Sequence, residues 1–331
     1  MLHVRDLRKT FRPPGRRGGR QVEAVRGVDC DVDAGEIVGF LGPNGAGKTT
    51  TLRMLTTALT PTSGQATVAG HDLLRDPLGV RRSIGSVPQG GTSNGNATVR
   101  EELVLQARLH RFSRADAERR AAALMAQLDL DGLGDRRTKT LSGGQRRRLD
   151  IAMGLVHAPP LVFLDEPTTG LDPQSRANLW DHIRSLRAEH AATVFLTTHY
   201  LEEADALCDR ILVIDDGRIV AEGTPDELKR RVAGDVVTLE LRRPEDVERA
   251  RAAVGSDPQI RDVLTERTTL RLTVEHGERS VLPLVRQLDG AGLDVLGFSV
   301  SRPTLDDVFL AVTGRSLRES DVVDERTPVS A

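Results

Sequence analysis

Two segments near the start of the chain, Leu2 to Phe11 and Glu23 to Asp33, alternate apolar with polar residues, the period of half-buried antiparallel strands. Between them Arg12 to Arg20 carries Pro13, Pro14, Gly15, Gly18 and Gly19 among arginines, which predicts an exposed, flexible loop. Glu36 to Leu41 is a short apolar run that ends at a Gly-rich turn, and Leu52, Leu55 and Leu59 recur at helical spacing over Lys48 to Leu59. From about Val99 to Asp131 the chain is rich in Ala, Leu, Glu and Arg with helical periodicity, predicting a helical subdomain over about 90–158. Apolar runs return at Leu161 to Leu164, Thr193 to Leu196 and Ile211 to Ile214, separated by helical segments, as a parallel sheet requires. The first domain, 1–230, is therefore expected to be α/β.

A second periodic series follows. Val236 to Leu241, Ile260 to Leu264, Leu270 to Val274 and Val295 to Val300 read as strands, and Glu245 to Val254 and Arg279 to Leu288 as helices. The order βαββαβ predicts a small ferredoxin-like α+β domain over 235–314, closed by a helix at Leu305 to Val312. The polar segment 315–331 is expected to be a disordered tail.

Charge changes this picture little. Lys plus Arg numbers 46 against 48 for Asp plus Glu, and aromatics are 3%, so neither a basic field nor stacking platforms point to nucleic acid. The arginine runs Arg16 to Arg20 and Arg146 to Arg148 are read as solvated faces. Cys30 and Cys208 lack metal-ligand or CxxC spacing and read as buried thiols in a reducing compartment. The opening residues lack the apolar core of a signal peptide, and no apolar run approaches the roughly 20 residues that span a bilayer. A soluble or peripheral protein on the cytoplasmic side of a membrane is expected.

The chemistry is concentrated in three places. Gly42, Pro43, Asn44, Gly45, Ala46, Gly47, Lys48 and Thr49, with Thr50 following, fit the phosphate loop GxxxxGK[ST], set between a strand and a helix. Such a loop turns backbone amides toward phosphate oxygens, extends the lysine to the β and γ phosphates and offers Thr49 to Mg²⁺. The strand Leu161 to Leu164 delivers two carboxylates at its C-terminal end, Asp165 toward Mg²⁺ and Glu166 as a candidate general base. Upstream, Leu141, Ser142, Gly143, Gly144 and Gln145 form a serine-capped, glycine-rich helix start, a second surface suited to phosphate.

With these motifs in place the chain resembles the ABC ATPase family from about Met1 to Leu228. The resemblance implies further roles. Phe11 matches the aromatic that stacks on adenine, and Gln89 the glutamine that senses Mg²⁺ and the γ-phosphate. Asp172, in Gly170-Leu171-Asp172, matches the residue that communicates across the dimer, with Gly170 where many members have Ser or Ala. His199 matches the histidine that contacts the γ-phosphate. The loop Arg12 to Arg20 is longer than usual for the family, and the Gly- and Asn-rich stretch Gly90 to Asn96 lies where members meet their membrane subunit.

Tyr200-Leu-Glu-Glu-Ala and Pro303 to Phe309 are similar to the daunorubicin-resistance type of exporter ATPase. The resemblance implies ATP and Mg²⁺ as ligands, an ATP-dependent homodimer with Ser142 of one copy on the nucleotide of the other, and a separate multi-span permease. Drug or antibiotic efflux is the expected function. Lipid or polysaccharide export, a soluble ATP switch in translation or DNA repair, and a regulated importer ATPase are the alternatives.

Overall fold

The computed structural model describes residues 1–12, 21–91, 93–232, 234–255, 257–301 and 303–313. Beyond Arg12, the loop expected up to Arg20 lies outside the described residues, as does the expected tail 315–331. The chain divides into two units, one over Met1–Thr224 and one that begins at Pro225.

In the first unit, β1 (Leu2–Phe11) and β2 (Val22–Val32) pair antiparallel. Their alternation places Leu2, Val4 and Leu7 with Val25, Val28 and Val32 in the core. β3 (Ile37–Leu41) is buried along its whole length and leads through the glycine turn into α1 (Lys48–Leu55). That helix stops before the expected end at Leu59 because Thr57 turns to a left-handed φ of 62°. β4 (Ser63–Val68) and β5 (His71–Asp72) complete an antiparallel sheet in the order β2-β1-β4-β5.

α2 (Pro77–Ser83), capped by Asp76, leads into β6 (Ile84–Val87). The helical subdomain follows. α3 (Val99–Leu109) starts at a reciprocal Thr98–Glu101 cap, α4 (Arg114–Gln127) at Ser113, and α5 (Gly143–Leu155) at a reciprocal Ser142–Gln145 cap. The chain then alternates: β7 (Leu161–Asp165), α6 (Pro173–His190), β8 (Thr193–Thr198), α7 (Leu201–Leu207), β9 (Arg210–Asp215) and β10 (Arg218–Gly223). These strands, with β3 and β6, form a six-stranded sheet in the order β10-β9-β3-β8-β7-β6. Every pairing is parallel except β9 with β10. Strands covered on both faces read as unbroken apolar runs, which is why β3, β7 and β8 were visible as such. Phe40, Phe163 and Phe195 meet in this core with ring centroids 5.5 and 5.7 Å apart.

The second unit opens with α8 (Pro225–Val232). β11 (Asp235–Leu241), α9 (Val247–Val254), β12 (Ile260–Glu266), β13 (Thr269–Val274), α10 (Gly277–Gly290) and β14 (Val295–Ser301) follow, and α11 (Leu305–Thr313) closes the described chain. The sheet is antiparallel throughout, in the order β12-β13-β11-β14. This is the ferredoxin-like arrangement that the order βαββαβ implies. Its own core joins Val237, Leu239 and Leu241 to Leu270, Leu272, Leu284 and Leu288.

One reading needs correction. Arg146 is exposed, but Arg147, read as part of a solvated face, is 7% exposed. Its guanidinium donates to the carbonyls of Pro88 (2.7 Å), Asp165 (2.8 Å) and Pro167 (2.8 Å). Three backbone acceptors satisfy the fork that a buried cation requires.

Candidate functional site

The C-terminal ends of β3, β7 and β8 lie side by side, and the turns that leave them are tied together. Gly42 N–H donates to the Thr198 carbonyl at 3.3 Å, and Glu166 N–H to that of Thr197 at 3.2 Å. Parallel sheets build sites at this edge because every strand delivers its following loop there.

Gly47, immediately before α1, adopts φ 104°, and a Cβ there would stand 2.5 Å from the Ala24 carbonyl. Only glycine fits. It caps α1 without any side-chain hydrogen bond, so amides at the helix start keep their capacity for an anion. Pro43 and Ala46 are buried, Asn44 and Gly45 exposed, and Thr49 and Thr50 half-buried. Lys48 is 4% exposed, and its ammonium donates to the carbonyls of Gly42 (2.7 Å) and Pro43 (3.0 Å). The glycine cradle, the uncapped helix start and the buried cation fit a polyphosphate.

Thr49 Oγ1 donates to Asp165 Oδ1 at 3.1 Å, and Thr197 Oγ1 donates to the same oxygen at 2.7 Å. A hydroxyl and a carboxylate, with the Gln89 amide nearby, are hard oxygen donors of the kind Mg²⁺ takes beside phosphate oxygens. The residues present fit that ion.

Glu166 follows Asp165 but leaves the strand alternation, taking φ 43°. For a non-glycine residue this is a sparsely populated conformation, of a kind found at functional sites. Its side chain gathers neighbours. Gln89 Nε2 and Thr169 Oγ1 donate to Oε2 at 2.9 and 3.1 Å, while Lys48 Nζ and His199 Nδ1 approach Oε1 at 3.5 and 3.3 Å. Burial pushes this carboxyl up, but His199, Lys48 and Thr169 together outweigh burial and hold it below the ordinary glutamate value. It is therefore ionised at neutral pH, an acceptor surrounded by donors. His199 Nδ1 is buried and meets no partner in hydrogen-bond geometry.

The remaining predicted residues lie elsewhere on the unit. Ser142 Oγ accepts from Gln145 N–H at 3.2 Å, and Gln145 Oε1 accepts from Ser142 N–H at 3.1 Å, with Leu141 buried beneath. Ser142 and Gly143 are exposed. Asp172 caps α6 by accepting from Ser175 N–H (2.9 Å) and Ser175 Oγ (2.7 Å). A Cβ on Gly144 would stand 2.9 Å from Ser175 Oγ, so the Ser142 turn and the Asp172 cap are direct neighbours. Phe11 is 42% exposed at the end of β1, with the Lys9 ammonium 5.3 Å from its ring centre.

Several partners had escaped the sequence reading. Thr197 and Thr169 sit in apolar or Thr-rich stretches where nothing marks one hydroxyl as a site ligand, and Arg147 was hidden within a run of three arginines.

Comparison with known proteins now decides the family. The chain is 43% identical over 313 residues to the doxorubicin resistance ATP-binding protein DrrA of Mycobacterium tuberculosis, covering 94% of this chain and 92% of that one. The chain belongs to the ABC transporter ATP-binding family. It is also 45% identical over 294 residues to the daunorubicin/doxorubicin resistance ATP-binding protein DrrA of Streptomyces peucetius, covering 88% of each. The family model for ABC transporters matches residues 25–169, and that for the C-terminal domain of DrrA1-3-like ATP-binding proteins matches 223–313. Among solved structures, a dimeric post-hydrolysis state of the ATP-binding cassette MJ0796 bound to ADP and Pi superposes with a TM-score of 0.62 at 25% identity. That match covers 68% of this ABC ATPase and 98% of the cassette. As a member of the family, the chain binds and hydrolyses ATP. Among its described residues no helix is long and apolar enough to cross a membrane.

Proposed function

We propose that this ABC ATPase powers a separate multi-span membrane permease that exports drugs or similar hydrophobic compounds. The observation that carries the mechanistic part is the ionised Glu166 carboxylate, held between Lys48, Gln89 and His199 beside the phosphate loop. Full-length similarity to resistance ATP-binding proteins supports efflux over a translation or repair switch or an importer.

In this reading the amides of the loop from Asn44 to Thr50 and the Lys48 ammonium bind the polyphosphate of ATP, and Phe11 stacks on adenine. Thr49, Asp165 and Gln89 would hold Mg²⁺, which when bound neutralises charge on the β and γ phosphates. Glu166 accepts a proton from the attacking water, and His199 orients that water and the γ-phosphate. The exposed turn Leu141 to Gln145 of a second copy contacts the nucleotide, with Asp172 beside it at the contact between copies. ATP then favours the closed homodimer because it touches both copies only when they are closed, and loss of the γ-phosphate removes that preference. Gln89 and the helices after it transmit this change to the permease at the inner face of the membrane, and the C-terminal unit supports the pair.

The test is co-expression with the neighbouring membrane protein, followed by doxorubicin accumulation in cells carrying wild-type chain or K48A. Lower accumulation that depends on Lys48 supports drug export. Equal accumulation in both, with altered lipid or polysaccharide at the cell surface, overturns the assignment of cargo.

A further inference from the structure

The segment that carries His199 is gripped from below by α6, through a buried acid that the proposed chemistry does not use. Glu203 lies four residues after His199, in the first turn of α7, and its side chain is completely buried. Trp180 Nε1 donates to Glu203 Oε1 at 3.3 Å. Glu203 Oε2 has no partner in hydrogen-bond geometry, and the buried Arg176 Nε has none either. The Arg176 guanidinium instead stands over the Tyr200 ring, 4.5 Å from its centre, and Tyr200 in turn lies against the His199 ring at 4.1 Å.

Arg176 and Trp180 are four residues apart on α6 and so share one face of it. They meet Tyr200 and Glu203, which flank the first turn of α7. Two contacts thus join the helix capped by Asp172 to the turn that presents His199. Around this carboxyl stand only neutral donors, the Trp180 N–H and the Thr198 and Thr168 hydroxyls, and burial outweighs them and holds it above the ordinary glutamate value; an apolar residue at this place would pack without that cost. The acid is explained if fixing the turn matters more than stability.

We infer that Glu203 is a positioning residue for ATP hydrolysis: through Trp180 it holds His199 in register with the helix that Asp172 caps. This rests on the reading that His199 acts at the γ-phosphate. A small displacement of an orienting group costs far more in rate than in binding.

The experiment uses the full chain with Mg²⁺ATP. Steady-state kcat and KM, affinity for a fluorescent ATP analogue, and intrinsic emission are measured for wild type, E203A, E203Q, H199A and H199A/E203A. Trp180 is the single tryptophan of the chain, so tryptophan emission reports on the surroundings of this one residue. E203A is expected to lose roughly tenfold to a hundredfold in kcat with unchanged ATP affinity and a shifted emission maximum. E203Q, which keeps the shape and an acceptor oxygen, restores most of the rate. In the H199A background, E203A adds nothing further. Wild-type kcat in E203A, an E203Q as impaired as E203A, or the same fractional loss with and without His199 would overturn the inference. A fully active H199A would instead overturn the reading of the site on which it rests. Should E203A not fold, W180F, which removes the indole N–H together with part of the ring, carries the kcat and ATP-affinity comparison without the emission readout.

Discussion

Lys48 Nζ lies 3.5 Å from Glu166 Oε1, with both side chains buried. The cation of the phosphate loop and the carboxylate after β7 thus neutralise one another. Without that pairing, with His199 and with the Gln89 and Thr169 donors, burial would drive the carboxyl toward its neutral form. In the proposed role as base, Glu166 is already ionised, so its activity should be limited by geometry and not by protonation near neutral pH.

Arg147 provides the first prediction. Removing its guanidinium leaves the carbonyls of Pro88, Asp165 and Pro167 without their donor. R147M should lower unfolding free energy by about 3 kcal/mol in urea titrations. It should also slow hydrolysis, because all three carbonyls belong to residues next to Gln89 or Glu166. Wild-type stability would show that water replaces the donor.

His157 provides a pH dependence. Burial, helped by His110 stacked at 3.9 Å and by Arg120, pushes its imidazole down to about 4 from 6.5. A folded-state value below the unfolded one means that the unfolded chain takes up the proton first as pH falls. The contribution to stability is therefore complete above about 6.5 and is lost progressively toward about 4. Thermal midpoints of wild type should fall over that window, and those of H157Q should fall less. Parallel curves would remove His157 as the cause.

Ser142 provides a third. Its reciprocal cap with Gln145 makes S142A lose about 1 kcal/mol of stability, a cost typical of a deleted cap. The same change should weaken ATP-dependent association of two chains, measured by sedimentation velocity with Mg²⁺ATP. Loss of stability with unchanged association would leave the serine as a cap alone.

Much of this arrangement is legible in the sequence. The apolar runs of β3, β7 and β8 and the period-two pattern of β1 and β11 announced their own environments, because burial on two faces or one writes a distinct pattern. The phosphate loop and the Asp165–Glu166 pair stand out because glycine, lysine and paired carboxylates at fixed spacing have few other uses, whereas the roles expected for Phe11, Gln89, Asp172 and His199 came from the family resemblance alone. What stayed hidden was of another kind. β6, only Ile84–Val87 with Gly85 and Ser86 inside it, is too short to show a period. Arg147 and Glu203 are charged residues at helical positions, and local sequence does not tell a buried charge with distant partners from a solvated one. Their partners, Pro88 and Pro167 for one and Trp180 for the other, come from other elements and are brought together only by the fold.

The account stands on Glu166 as the group that accepts the proton of the attacking water. The direct measurement is phosphate release by purified E166Q with saturating Mg²⁺ATP, beside ATP affinity for the same preparation. Binding should be retained, phosphate release should fall roughly a hundredfold to ten-thousandfold, and the ATP-bound dimer should accumulate. Phosphate release by E166Q at the wild-type rate would contradict the account.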